Sequence, residues 1–331
     1  MGERSVKGKV KPVRFIQMGG SLSGSHFFGL YENCQMKFFL RYVLGWESIW
    51  STPALINGTA MHAAKEVFYS MKKGTDAQRI KKPLQKYLEV MDVNRKKIIS
   101  SSLADFEKLR DRGTELFPAW VETFGGGDLE KYQILGVEKE MQLDVPWRKS
   151  KFVVTGKLDL LVRDKKDKGI LILDTKTTSF SLRETEYSVM LGDQATAYIS
   201  MARQAYPKDE VKGMIADIMY WHDNSKKVES ATLKRSDVIV RYPADVAEYK
   251  VNMGNLIAEC SSKVAAWGTG KWKEPVQLFR RNSQWCYSFF RECEYSSWCR
   301  RNMACKAKEV PFEFTKVNVK KIVERVKKGD V

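Results

Sequence analysis

Nothing in this chain of 331 residues approaches the roughly 18 consecutive apolar residues that a membrane-spanning helix needs. Its start, Met1-Gly2-Glu3-Arg4-Ser5-Val6, lacks a secretory apolar stretch, and it lacks the Ser or Thr that a myristoylation signal places at position 6. These absences predict a soluble, cytoplasmic protein with no membrane partner. No G-x-x-x-x-G-K-[ST] phosphate loop occurs, so ATP-driven unwinding would have to come from another protein. Internal repeats and low-complexity tracts are also missing. With only six cysteines, a cytosolic chain of this length does not read as a disulfide framework, and it contains no C-x2-C knuckle of the kind zinc sites use.

A hydrophobic content of 43% is enough for a packed core in one large domain or two ordinary ones. Fifty-seven Lys and Arg against forty acids leave a charge of +17, which makes a polyanion the obvious partner class. Arg280, Arg281, Arg291, Arg300 and Arg301 are interleaved with Phe279, Trp285, Tyr287, Phe289, Phe290, Tyr295 and Trp298. Cations among rings suit phosphates and unstacked bases, and the same rings suit a local core equally well. The run Cys286-x6-Cys293-x5-Cys299-x5-Cys305 is denser than buried free thiols would give. Its irregular, longer spacing fits an iron–sulfur cluster if a fourth ligand exists.

Helical spacing of apolar residues runs through Tyr31 to Tyr42, and a second helix is expected from Gly58 through His62. Two charged helical stretches, about Asp76 to Lys97 and Leu103 to Phe124, read as an inserted helical subdomain that Gly125-Gly126-Gly127 ends. The period then changes to two, with strands near Ile134 to Leu143, Phe152 to Arg163 and Ile170 to Thr177. A helix near Gln194 to Ala205 follows. A strand from Gly213 to Trp221 that pairs with Lys226 to Leu233, and a long helix from Pro243 to Trp267, complete the order. Cys260 on that last helix reads as a buried free thiol.

The most informative local feature is Asp174-Thr175-Lys176 at the end of Ile170-Leu171-Ile172-Leu173. Residues i and i+2 of a strand share a side, so Asp174 and Lys176 point the same way. If the chain folds back through the polar turn Asp164 to Gly169, Asp159 lands opposite Asp174. Two carboxylates at that separation repel by about 4 kcal/mol at an effective dielectric of 20. A hard cation, Mg²⁺ or Mn²⁺, relieves that repulsion, and a neighbouring lysine can hold a water in line with phosphorus. The plainer reading is a charged hairpin end with Lys176 paired to an aspartate.

Taken together, these pieces resemble the PD-(D/E)XK nuclease superfamily in its RecB-like iron–sulfur branch, which includes AddB nuclease domains, CRISPR-adaptation exonucleases and phage recombination exonucleases. The resemblance runs from Tyr31 to Cys299 through five ordered elements: Cys34; Gly58 with His62; Gly156 with Asp159; Asp174 with Lys176; and Gln194 with Tyr198, followed by the C-terminal cysteines. It implies an α/β fold with a restriction-endonuclease-like mixed central sheet flanked by helices, a helical insertion and a C-terminal iron–sulfur segment. The corresponding division is a basic segment at 1–19, an N-terminal helical part at 20–72, the insertion at 73–128, the catalytic core at 129–279, the cluster segment at 280–306 and a tail helix at 307–331.

The resemblance further implies Asp159, Asp174, Lys176, Gln194 and Tyr198 as catalytic residues. His62, Asp159, Asp174 and the Thr175 carbonyl would be the Mg²⁺ or Mn²⁺ ligands, with Glu138 as an accessory. Gln194 and Tyr198, four apart on one helix face, equally suit a buried hydrogen-bonded pair. Cys34, Cys286, Cys293 and Cys299 would hold a 4Fe–4S cluster. The branch's usual C-x2-C-x5-C is here C-x6-C-x5-C, so Cys293, Cys299 and Cys305 form an alternative triplet. The implied activity is a metal-dependent DNA exonuclease acting on single strands or ends in recombination, repair or phage DNA processing, beside a helicase or recombinase. The alternatives are a catalytically silent iron–sulfur DNA-binding or assembly protein and a zinc-dependent regulator.

A nucleic-acid partner makes a salt prediction. If binding neutralises about six phosphates, affinity for DNA falls roughly a thousandfold between about 50 and 200 mM salt. A flat response in a fluorescence-anisotropy titration would reduce the +17 charge to a solubility feature.

Overall fold

The structure, a computed structural model, describes residues 22–23, 31–71, 73–148, 150–221, 233–272, 274–288, 291–300 and 314–316. The expected basic segment at 1–19, most of the tail at 307–331, Cys305 and all but the end of the Lys226 to Leu233 strand lie outside those residues.

A mixed sheet forms the centre. It is built from β3 (Tyr132–Trp147), β4 (Ser150–Asp164), β5 (Ile170–Thr178), β6 (Val211–Tyr220) and β7 (Leu233–Arg235) in that spatial order. Only β5 and β6 in this series are parallel, and the short β1 (Leu22–Ser23) adds parallel to β4 at Val154 and Thr155. The β4–β5 turn falls where the polar stretch predicts it. Asp164 N–H donates to the Gly169 carbonyl at 2.9 Å, and Gly169 N–H donates to the Asp167 carboxylate at 2.9 Å. A parallel neighbour requires a crossover, supplied by α6 (Leu182–Leu191) and α7 (Asp193–Ala205). Of these, α6 has no counterpart in the sequence-based expectations.

Alternation along β5 assigns the two faces of the sheet. Ile170 and Ile172 enter one core with α7 and the long α8 (Pro243–Gly268), and Leu171 and Leu173 enter the other. The second core is roofed by α2 (Pro53–Ser70), α3 (Asp76–Asn94) and α4 (Leu103–Trp120). α2 begins before Gly58 because Thr52 caps it, accepting from Leu55 N–H at 3.3 Å, and Pro53 occupies the first turn. The Gly125–Gly127 tract does not end the insertion: a π-helical turn from Val121 to Gly125 leads straight into α5 (Gly126–Lys131). Gly125 sits against Phe68 and Trp120 at about 3.0 Å from where a Cβ would be, so packing retains it inside a helix.

Elements from near the two ends of the chain pack together. Met36 N–H in α1 (Gln35–Phe38) donates to the Arg280 carbonyl at 3.1 Å, and the Phe39 and Phe279 rings lie 4.7 Å apart. Tyr295 donates to the Trp46 carbonyl at 2.6 Å. Phe279, Tyr295 and Trp298 are fully buried, which resolves their two readings in favour of core, whereas Tyr287 is exposed. Phe314–Lys316, expected within a tail helix, instead forms a strand, β10, antiparallel to β2 (Trp46–Ser48), because it seals the edge beside Tyr295 and Trp298. Among the described residues no helix is long and apolar enough to cross a membrane.

Candidate active site

The pairing of β4 with β5 stops at Leu160 opposite Leu173, one residue short of both aspartates. Beyond that point β4 stays with β3 and β5 stays with β6, so the two central strands part. A parted strand exposes backbone donors that need partners. Asp159 meets this need by accepting from Thr175 N–H at 2.7 Å, which locks its carboxylate to the start of the D-x-K segment. Asp174 is 1% exposed. Lys176 Nζ stands 2.7 Å from Asp174 Oδ2, yet neither Asp174 oxygen receives a well-directed hydrogen bond.

Glu138 lies opposite Asp159 in the β3–β4 register, between the pairs Val137 with Leu160 and Lys139 with Leu158. Its φ of 46° falls in the left-handed region, which costs a non-glycine residue on the order of 1–3 kcal/mol. The irregularity spans both strands. Leu158 and Leu160 are two apart on β4 but enter different cores, so the alternation reverses at Asp159. The kink turns Glu138 toward α2, where His62 Nδ1 lies 3.4 Å from Glu138 Oε1 and 3.5 Å from Asp159 Oδ2. Gly58 makes that reach possible: a Cβ there would stand 3.2 Å from Thr177 Oγ1, so its absence lets α2 settle on β5 one turn before His62.

On the other face, Lys176 Nζ donates to Gln194 Oε1 at 2.9 Å, and Gln194 Nε2 donates to the Tyr198 hydroxyl at 3.0 Å. Gly156 permits this approach, since a Cβ would meet Met201 Sδ at 2.9 Å and Tyr198 Cε1 at 3.0 Å. Six sequence-derived residues, His62, Asp159, Asp174, Lys176, Gln194 and Tyr198, therefore converge, with Glu138 beside them. Lys157, which sequence reading overlooked, anchors Glu138 through a 2.6 Å ion pair to Oε2.

Sequence reading also missed a buried cluster behind Thr175. Asp217 on β6 is paired with Thr175 in register and accepts from Lys65 Nζ and Trp120 Nε1, each at 2.9 Å. The available signal was Lys65 lying three residues after His62 on one helix, which places it on the His62 side.

Charges at the site are mutually tuned. Burial pushes the Asp159 carboxyl up to about 6, helped by Asp174 and Glu138 and opposed by His62 and Lys176. Burial lowers His62, but Asp159 and Glu138 outweigh it and raise the imidazole above its usual value. Burial raises Glu138, and His62 with Lys157 more than reverse this. A divalent cation needs convergent donors with lone pairs available. Among the described residues, ligand atoms of His62, Glu138 and Asp159 lie within 4.8 Å of one another. This donor set fits a divalent metal; it includes Glu138, expected only as an accessory, and Asp174 stands outside it.

Cys34, Cys293 and Cys299 pack against the core that α7 and α8 share, but among the described residues no three cysteine thiols come within 4.8 Å of one another. Cys286 and Cys293 flank a hairpin of β8 (Tyr287–Ser288) and β9 (Arg291–Glu292), and Cys293 N–H donates to the Cys286 carbonyl at 2.8 Å. The hairpin returns the chain on itself, so the long Cys286 to Cys293 spacing is short in space. Cys260 is buried on α8, as its helical position suggests.

The raised Asp159 pKa has a definite sign in stability. A carboxyl with a folded value of about 6 and an ordinary value of 3.8 favours the fold while protonated and loses that contribution as pH rises through about 6. In chelator-treated protein, the stability of Asp159→Asn relative to the wild type therefore rises by on the order of 2 kcal/mol between about pH 4 and pH 7 and is level above that. Thermal melts that show a pH-independent difference would contradict this assignment.

Comparison with known proteins agrees with this geometry. No curated protein matches the chain. Of solved structures, one described as "Crystal structure of SSO0001" is 12% identical, with 62% of this chain and 85% of that chain covered, at a TM-score of 0.27, a likeness too loose to bear on the fold. The sequence model of the PD-(D/E)XK nuclease superfamily matches residues 22–300, which contain the parted strands, the D-x-K segment and both flanking helices. The chain belongs to the PD-(D/E)XK nuclease superfamily.

Proposed function

We propose that this protein is a Mg²⁺- or Mn²⁺-dependent DNA exonuclease of the RecB-like iron–sulfur branch. The observation that carries the catalytic reading is the meeting of Lys176, Asp174, Asp159 and His62 where β4 and β5 part, with both Asp174 oxygens buried and short of directed donors. Hydrolysis joins a water oxygen to phosphorus, breaks one phosphorus–ester bond and delivers a proton to the departing oxygen. A divalent metal supplies charge against the phosphate oxygens and lowers the pKa of water. His62, Asp159, Asp174 and the Thr175 carbonyl would hold it, with Glu138 completing the donor set.

Lys176 orients the attacking water and offsets phosphate charge. Burial lowers its pKa, but Asp174 and Asp159 more than compensate, so the ammonium stays charged. Gln194, backed by Tyr198, aims it. Single-stranded or frayed DNA ends are the substrate, in the cytoplasm, within recombination, repair or phage DNA processing. A helicase or recombinase supplies any unwinding.

Asp174→Ala is expected to lower cleavage of end-labelled linear DNA at least about a hundredfold while DNA binding persists. Circular single strands should resist the wild type. Wild-type rates from Asp174→Ala would sink the site, and equal digestion of circles would sink the exonuclease reading.

The same reading gives Cys34, Cys286, Cys293 and Cys299 to a 4Fe–4S cluster. Its support is the packing of Cys34, Cys293 and Cys299 against one core and the hairpin that absorbs the Cys286 to Cys293 spacing. Thiolates from both ends of the chain on one cluster would reinforce the packing already present there. Cys34→Ser is expected to lose visible absorption, iron and protease resistance together, and Cys260→Ser to keep all three. A Cys34→Ser protein with full iron content would remove Cys34 from the ligand set.

A further inference from the structure

We propose that the buried polar cluster centred on Asp217 is a positioning device for the D-x-K strand, with Lys65 as its working contact. This inference rests on the nuclease reading of the site and extends it along the face of the sheet that α2 covers, behind the side on which Asp174 and Lys176 point. Thr175 lies between Asp174 and Lys176, and strand alternation sends its side chain away from theirs. There Lys65 Nζ donates to Thr175 Oγ1 at 3.1 Å and to Asp217 Oδ2 at 2.9 Å. Lys65 is 5% exposed and Asp217 is 2% exposed.

The cluster gathers groups from separate parts of the chain. Trp120, at the end of α4, donates its indole N–H to Asp217 and offers its ring to Lys65, whose ammonium is 4.2 Å from the ring centroid. Arg235 on β7 reaches Asp217 at 3.3 Å and forks onto Asp128 of α5 with two contacts of 2.6 Å. Tyr69 of α2 donates to the same Asp128 at 2.5 Å. Two cations and two anions thus balance inside the protein.

Such a cluster is a poor way to gain stability, because each ion carries a desolvation cost that apolar packing would avoid. It is a good way to impose one geometry, because Lys65, Trp120 and Arg235 all aim at one oxygen, Asp217 Oδ2, while Asp217 Oδ1 and Arg235 Nε are left without hydrogen-bond partners among the described residues. Here the geometry imposed is that of the site. Lys65 lies three residues after His62 on α2, and its ammonium grips the residue between Asp174 and Lys176. One side chain therefore sets the spacing between the helix that carries His62 and the strand that carries the aspartate and the lysine. Thr175 N–H, turned toward Asp159, is held by the same grip. Gln194 steadies Lys176 from the front, and Lys65 steadies Thr175 from behind. Lys65 is a positioning residue, since it touches none of the groups assigned to the reacting atoms beyond the Thr175 hydroxyl.

The test compares Thr175→Val, Lys65→Met, Asp217→Asn and the Lys65→Met/Asp217→Asn double variant by thermal melting, Mn²⁺ calorimetry and steady-state cleavage. Thr175→Val keeps the backbone carbonyl and the Lys65 to Asp217 pair and removes only the grip. It is expected to melt near the wild type, bind Mn²⁺ roughly tenfold more weakly and lose roughly tenfold in kcat, with KM for DNA within about twofold. The single charge variants should melt well below the wild type, because each strands a buried ion, and the double variant should recover much of that loss without recovering Mn²⁺ affinity or kcat. Wild-type Mn²⁺ binding and kcat in Thr175→Val would overturn the proposal, as would a double variant that regains both together with stability. Wild-type cleavage abolished by Asp174→Ala is the control: its absence would count against the nuclease reading, whereas the calorimetry tests Lys65 on its own.

Discussion

The contact on which the site depends is the 2.7 Å hydrogen bond from Thr175 N–H to Asp159. Two antiparallel strands that stop pairing in a protein interior leave donors and acceptors without water to satisfy them, at about 1–3 kcal/mol for each unpaired group. Here the separation begins immediately after Leu160 and Leu173, and a carboxylate fills the place of a backbone carbonyl. The substitution keeps β4 and β5 together beside a space lined by His62, Glu138, Asp159 and Thr175. Asp159, proposed to hold a cation, thus also closes a gap in the sheet.

Helices meet this opening from both faces. From one side α2 brings His62 to Asp159 and Glu138, and it comes close because Gly58 has no Cβ to strike Thr177. From the other, α7 brings Gln194 to Lys176 over the space left by Gly156. The glycines of the G-x-x-x-H and G-x-x-D patterns act alike, since each lets helix and sheet approach a few tenths of an ångström closer than a Cβ would allow. That is the distance over which a hydrogen bond forms or fails.

The helical insertion is part of this arrangement. Its last turns supply Trp120 and Asp128, and both reach the charge cluster at the edge of β5 and β6. The continuous helical path through Gly125–Gly127 is what carries Asp128 to Arg235. A helix ended at the glycines would have left the Arg235 guanidinium without the carboxylate it forks onto. Phe39, Phe279, Tyr295 and Trp298 join the core that Ile170, Ile172, α7 and α8 form, and Cys34, Cys293 and Cys299 pack against it.

Local pattern alone was enough for the catalytic hairpin. The apolar alternation, the polar Asp164 to Gly169 turn and the one-residue precision of strand register place Asp159 opposite Asp174, and helix periodicity places Gln194 and Tyr198 on one face. Those are short-range properties, written in adjacent residues. Tertiary structure decided what depended on distant partners. Glu138 joins the site through a left-handed backbone angle that no propensity assigns to glutamate. Phe279, Tyr295 and Trp298 became core because Phe39, Trp46 and Phe314 pack against them, although their arginine neighbours fit a nucleic-acid surface equally well. Lys65, Asp217 and Arg235 are ordinary charges on three separate elements until the fold removes water from all of them at once, and only then must each find the others.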